Sequence, residues 1–325
     1  MNANTILSSD VSLKSDETHY RQNADTILMI QPVAFGFNAQ TAINNHFQHN
    51  DGAASYEMQQ KALAEFNVMV QQLREKNIDV IVVPDTLEPH TPDSIFPNNW
   101  ISFQKDNRVA MYPMFAPNRR HERRLEVVEK VVEHGFSISQ MVDYSVYEKE
   151  NRFLEGTGSM IFDRANRIAY AALSDRTDAE LFNWFCNDFG YSAVSFTANQ
   201  TVGGERKPIY HTNVMLSVAE QYVVICMESI DIADERTMLT DAFLKTGKQI
   251  VEITEKQMHN FAGNVLQIKN KMDEQFLVMS ETAYSSLDSI QIDKLLKYNE
   301  LIVVSVPTIE KYGGGSVRCM MAEVF

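Results

Sequence analysis

Three side chains in this sequence are suited to covalent chemistry, and they lie far apart. Cys319 follows three consecutive glycines in "KYGGGSVRCMMAEVF". A lone cysteine in an apolar run is ordinarily a small buried hydrophobe, but a glycine loop beside it marks a close backbone approach or an unusual turn. The pattern predicts a strand here, with Val317, Cys319 and Met321 on one face and Arg318, Met320 and Ala322 on the other. His211 lies in "IYHTNVML" and is the only one of the eight histidines in a strand-like segment flanked by polar groups. A nucleophilic cysteine needs a proton acceptor brought near by the fold, often a histidine remote in sequence. Glu155, in "FLEGTGSM", is a carboxylate between an apolar run and two glycines. It does not fit a solvated helix face, and its expected task is to orient a histidine or bind a cation.

A second group of residues is suited to binding. Asp93, Asn98 and Asn99 cluster in "PDSIFPNNW". Such residues favour turns, yet here Phe96 and Trp100 bracket the amides. Arg119, Arg120, Arg123 and Arg124 open a helical pattern, where positive charge opposes the helix dipole, so at least one is expected to serve elsewhere. Arg176, in "LSDRT", suits a surface charge or a carboxylate anchor. Cys186 and Cys226 read as core. There is no phosphate-binding glycine motif, no H-E-x-x-H and no C-x-x-C, and no His/Asp cluster has the spacing of metal ligands. No cofactor or metal is expected.

The elements that would carry these residues alternate between strands and helices. "DTILMIQP" and "IDVIVVP" are strand-like, and the stretch 55–77 repeats apolar residues at helical spacing. Hairpin patterns recur among the crossovers, which a purely parallel doubly wound sheet would lack. Short polar or glycine-containing segments at 92, 153, 209, 261 and 313 are separated by about 50–60 residues, a repeat of element order. Five similar ββαβ units around a centre, each delivering one segment to it, account for the spacing. Residues 1–24 read as a loose polar tail without signal-peptide character, and 25–325 as a single domain.

The 325 residues carry a formal net charge of −14, which disfavours nucleic acid and anionic membrane surfaces as partners. The apolar runs are of strand length, not membrane-spanning length. Three cysteines, an odd and sparse set, point to a reducing cytoplasm. A small zwitterionic substrate is compatible with this charge, and a homo-oligomer is allowed.

Taken in order, "PNNW", "LEGTGSM", "YHTNV", "FAGN" and "GGGSVRCM" resemble the pentein, or guanidino-group-modifying, superfamily, which includes arginine deiminases, dimethylarginine dimethylaminohydrolases and amidinotransferases. Within it the chain looks most like the amidinotransferase-like group of citrulline-utilisation hydrolases. The resemblance covers nearly the whole chain from Thr26. It implies an α/β fold, a five-bladed pseudo-symmetric propeller of ββαβ units around a central active site. It implies Cys319 as nucleophile, His211 as general acid/base and Glu155 as its acidic partner. It places substrate-binding roles on Asp93, Asn98, Asn99, Asn213 and Asn264, with Arg176 and either Arg119 or Arg120 as carboxylate anchors.

Two departures bear on the substrate. Where deiminases place two aspartates that grip a charged guanidinium, this chain has Asn99 and Asn213, and Gly158 replaces a further acid. An amide both donates and accepts, which suits a neutral ureido group. The expected reaction is therefore a cysteine-dependent hydrolysis of citrulline to ornithine, ammonia and carbon dioxide. The alternatives are an arginine deiminase or dihydrolase, a dimethylargininase, an amidinotransferase and a non-catalytic pentein binding protein.

Overall fold

The protein is described by a computed structural model covering residues 21–325. Its strands form five three-stranded sheets and one two-stranded hairpin. Each three-stranded sheet repeats one pattern: an antiparallel pair, a helical crossover, then a strand parallel to the middle one. In the second stretch of chain the strands are Ile101–Phe103, Arg108–Met111 and Gln140–Asp143, with the helix Leu125–Glu133 in the crossover. The pattern recurs with Ile161–Asp163, Ile168–Ala172 and Ser192–Phe196, then Leu216–Val218, Tyr222–Ile225 and Gln249–Glu252, then Leu266–Lys269, Gln275–Ser280 and Glu300–Val304.

The remaining sheet joins the two ends of the described chain. Ala322–Val324 pairs antiparallel with Thr26–Gln31, which pairs parallel with Asp79–Pro84; Leu28 faces Ala322 on one side and Ile81 on the other. Its crossover helix, Ser55–Glu75, buries Met58, Ala62, Phe66, Met69, Val70 and Leu73, spaced three or four residues apart on one stripe. Each large apolar side chain so buried contributes about 1.5–3 kcal/mol. Five-fold repetition of such small sheets explains why hairpin and crossover patterns alternate along the sequence.

Several expectations need correction. The segment around Cys319 is not a strand: Val317–Met320 form a turn, all are buried, and pairing begins at Ala322. His211 likewise precedes a short 3-10 turn, Thr212–Val214. The helix anticipated from 120 starts at Leu125, preceded by a 3-10 segment, Pro117–Glu122. The hairpin Asn199–Val202 with Glu205–Pro208 was not anticipated. Most of the proposed loose tail lies outside the described residues, but its last part is packed: Gln22, Asn23 and Ala24 are buried, and the Gln22 amide donates to the Phe162 and Val218 carbonyls. Among the described residues no helix is long and apolar enough to cross a membrane.

The helix Pro307–Gly313 leads directly into the glycine loop. Its first turn is capped by a side chain from another helix. Glu65 accepts hydrogen bonds from the backbone N–H groups of Thr308 (2.9 Å) and Ile309 (3.0 Å), two donors that a helix start leaves unpaired. Glu65→Ala should lower stability by about 1–2 kcal/mol, the cost of losing a good cap. Urea unfolding should show it as a lower midpoint at unchanged slope.

Candidate active site

Glu155 is fully buried and is the hub of the site. Its Oε1 accepts from the Phe115 backbone N–H at 2.8 Å. Its Oε2 lies 2.7 Å from His211 Nε2, 3.5 Å from Arg176 Nη1 and 3.9 Å from Arg119 Nη1. Burial alone would raise the Glu155 carboxyl, but the charges of Arg176, His211 and Arg119 and the His211 hydrogen bond hold it well below the ordinary carboxylate range. An ionised carboxylate only accepts, so His211 carries its proton on Nε2 and presents the Nδ1 lone pair. Burial pushes His211 down to about 4, with Glu155 opposing the shift. The imidazole is therefore neutral at neutral pH and ready to act as a base, not the imidazolium of a preformed ion pair.

Gly158 makes this arrangement fit. A Cβ built there would lie 2.5 Å from Asn99 Nδ2 and 2.8 Å from His211 Nδ1, well inside contact distance. A side chain at this position would have to displace one of these two groups.

Cys319 is 3 % exposed. Its sulfur accepts from the amide of Asn264 at 3.2 Å and of Asn213 at 3.4 Å. Two N–H donors aimed at sulfur stabilise negative charge as it forms. Asn264, expected to bind substrate, thus contacts the Cys319 sulfur. Its amide also donates to the Asn213 carbonyl at 3.0 Å, which fixes which end of the carboxamide faces sulfur. Gly315 gives the turn its room: a Cβ there would meet Phe96 at 3.0 Å and Cys319 Cβ at 3.3 Å. The other two thiols sit in apolar core, where burial pushes Cys186 up to about 12 and Cys226 up to about 11.

The two buried arginines that face Glu155 differ in what they have left to give. Arg119 forks onto Glu122 at 2.8 and 2.9 Å and donates to Asn99 Oδ1 at 2.8 Å. Arg176 contacts Glu155, the Thr41 carbonyl and Asn44 Oδ1, the last at 3.0 Å from Nε. Arg120 is not part of the cluster. It is partly exposed, bonds the Met114 and Phe115 carbonyls and pairs with Glu148. Asp93 is buried; its Oδ2 accepts from Asn38 (2.8 Å) and Thr41 (3.1 Å). Burial raises its carboxyl against the pull of Arg119. Asn98 and Asn99 are buried beside it.

Sequence reasoning missed Glu122, Asn38, Thr41, Asn44 and Tyr210. Glu122 stands three residues after Arg119, a pairing distance that was open to notice. Tyr210 adjoins His211: its hydroxyl donates to the Gly314 carbonyl at 2.6 Å, and its ring lies 4.7 Å from the imidazole and 4.9 Å from the Arg176 guanidinium. Among the described residues no group of three or more His, Cys, Asp or Glu side chains could hold a metal ion.

Residues 31–325 match the family described as N,N dimethylarginine dimethylhydrolase, eukaryotic. The chain belongs to this family. It is thereby a member of the pentein superfamily of guanidino-modifying enzymes. Solved structures share the fold. ArgZ, an arginine dihydrolase from the ornithine-ammonia cycle in cyanobacteria, superposes with a TM-score of 0.70 at 17% identity, over 91% of this chain and 40% of that one. The chain thus spans well under half of full-length ArgZ. It spans 97% of the substrate-bound N-terminal domain of ArgZ, in a cysteine-to-serine form (TM-score 0.66, 17% identity, 92% of this chain). A dimethylarginine dimethylaminohydrolase, captured as an adduct with S-methyl-L-thiocitrulline, aligns over 92% of this chain and 99% of its own at 15% identity, with a TM-score of 0.61. No curated protein gives a significant match.

Gly158→Ala should push the imidazole and the Asn99 amide apart. A displacement of about 1 Å is enough for a roughly hundredfold loss of kcat, measured by steady-state kinetics with circular dichroism confirming the fold. The pH profile gives a second test. A base works when neutral, so with His211 in that role kcat/KM should fall as pH falls through its pKa. With His211 lowered from 6.5 to about 4, the acidic limb should centre near the lower value and the rate should be flat across pH 6–7.

Proposed function

We propose that this member of the family hydrolyses a neutral ureido amino acid, citrulline, through a covalent intermediate on Cys319. One observation carries the reading: the buried side-chain atoms without a partner on the candidate binding residues are a mixed set. Asp93 Oδ1, Asn213 Oδ1 and Asn264 Oδ1 are acceptors, Asn99 Nδ2 is a donor, and Asn98 supplies one of each. Arg119, which cannot accept, holds Asn99 Oδ1 and so commits Nδ2 to donate. A guanidinium is donor-only and would leave that Nδ2 facing another donor. A ureido group brings N–H groups for the acceptors and a carbonyl for Asn99.

The chemistry follows from the same placement. As the Cys319 sulfur bonds to the ureido carbon, His211 Nδ1 takes the thiol proton and then passes it to the departing nitrogen. Asn99 Nδ2 is placed to stabilise the oxyanion. Water, deprotonated by the same imidazole, then breaks the C–S bond. Citrulline plus water gives ornithine, ammonia and carbon dioxide. Arg176 is the carboxylate anchor in this reading, because Arg119 is saturated by Glu122 and Asn99; the incoming carboxylate would replace Asn44 Oδ1. The five sheets are then the blades of a propeller closed around the site.

The second reading is an arginine dihydrolase. It is favoured by the free Asp93 Oδ1 and by the ArgZ likeness. Ornithine release from citrulline, arginine and dimethylarginine should be compared on wild type and Asn99→Asp. Citrulline should show the highest kcat/KM. Asn99→Asp should cut it by about 10²-fold, the usual loss for one oxyanion donor, and arginine turnover should fall less. A higher kcat/KM for arginine than for citrulline in wild type would overturn the first reading.

A further inference from the structure

Outside the residues already assigned, one buried carboxylate is wired to the nucleophile. Glu310 sits within the helix Pro307–Gly313 and is 5 % exposed. Its Oε1 accepts from Ser316 Oγ at 2.6 Å and its Oε2 from Thr282 Oγ1 at 2.7 Å. Ser316 is fully buried, and its carbonyl accepts the Cys319 backbone N–H at 3.0 Å. A continuous path therefore runs from the Glu310 carboxylate through both ends of Ser316 to the backbone of Cys319. Among the described residues no basic side chain pairs with Glu310 closely enough to form an ion pair.

Burying an unpaired carboxylate is unfavourable. The glycine loop does need an external brace. Gly313, Gly314 and Gly315 leave the backbone free to sample many conformations, while the sulfur must stay within hydrogen-bond reach of two amides on other segments. Tyr210 braces the loop at the Gly314 carbonyl. On the far side of Gly315 the brace is Ser316, and Ser316 is held by Glu310.

We propose that Glu310 is a positioning residue for the reaction: acting through Ser316, it fixes the turn that presents Cys319 to Asn213 and Asn264. The proposal rests on Cys319 being the nucleophile. It goes beyond that reading by assigning the loop's geometry to a carboxylate that never touches substrate.

The test uses the full chain as wild type and as Glu310→Ala, Glu310→Gln, Ser316→Ala and Thr282→Ala. Two quantities are read: the iodoacetamide alkylation rate at each cysteine, by peptide mass spectrometry, and kcat and KM with whichever of citrulline and arginine is turned over faster. Glu310→Ala and Ser316→Ala should each slow Cys319 alkylation and lower kcat by about tenfold or more, in line with a small misplacement of a reacting atom, with KM within about twofold. Glu310→Gln retains an acceptor for Ser316 and should recover most of the rate. Thr282→Ala should stay near wild type, since it leaves the Ser316 contact intact. If Glu310→Ala does not fold, Ser316→Ala decides alone. Wild-type rates in Ser316→Ala, or losses in Thr282→Ala equal to those in Glu310→Ala, overturn the proposal. If wild-type Cys319 is alkylated no faster than Cys186 and Cys226, the nucleophile assignment itself fails, and the proposal with it.

Discussion

The site depends on one carboxylate held ionised in a place that should neutralise it. Glu155 is fully buried, yet it faces two guanidinium groups and an imidazole. Charges in a low-dielectric interior are tolerated only when they are paired and hydrogen-bonded. Here the pairing is shared: Arg119 also serves Glu122 and lies near Asp93, and Arg176 also serves the segment around Thr41 and Asn44. Removing any member leaves its neighbours uncompensated. The cluster is thus a single unit that sets the tautomer of His211, the orientation of Asn99 and the charge of the cavity wall together.

The fold brings such a unit together from remote stretches of chain. No single three-stranded sheet here carries the whole site: Glu155, His211, Arg119 and Cys319 come from separate stretches of chain. Segments that connect the sheets' strands supply the clustered side chains. Those segments end in short 3-10 turns or tight loops, as at Pro97–Asn99, Thr212–Val214 and around Gly314. Tight turns expose backbone and side-chain polar groups at fixed angles, which extended strands would alternate between two faces.

The candidate catalytic residues stand out in the sequence because they are chemically conspicuous. A cysteine after three glycines, a histidine between polar neighbours and a glutamate before glycines each contradict the local pattern. The repeat of element order was legible because hairpin and crossover signatures alternate. What escaped was second-partner chemistry. Nothing local marks Asn44 or Tyr210, since their partners lie on other segments. The strand drawn through Cys319 failed for a related reason: alternation is uninformative when every residue from Val317 to Met321 is buried. Arg119 and Arg120 are adjacent and identical in type, and only the path of the Pro117–Glu122 turn sends one inward and the other toward solvent.

The pairing of Ala322–Val324 with Thr26–Gln31 also orders events in time. Contacts between residues so distant in sequence form late, after the entropy of closing the intervening chain has been overcome by nearer contacts. The four other sheets are each made from continuous stretches and can assemble before it. Cys319 stands three residues ahead of the closing strand, so its thiol is expected to reach the two asparagine amides only after that pairing forms.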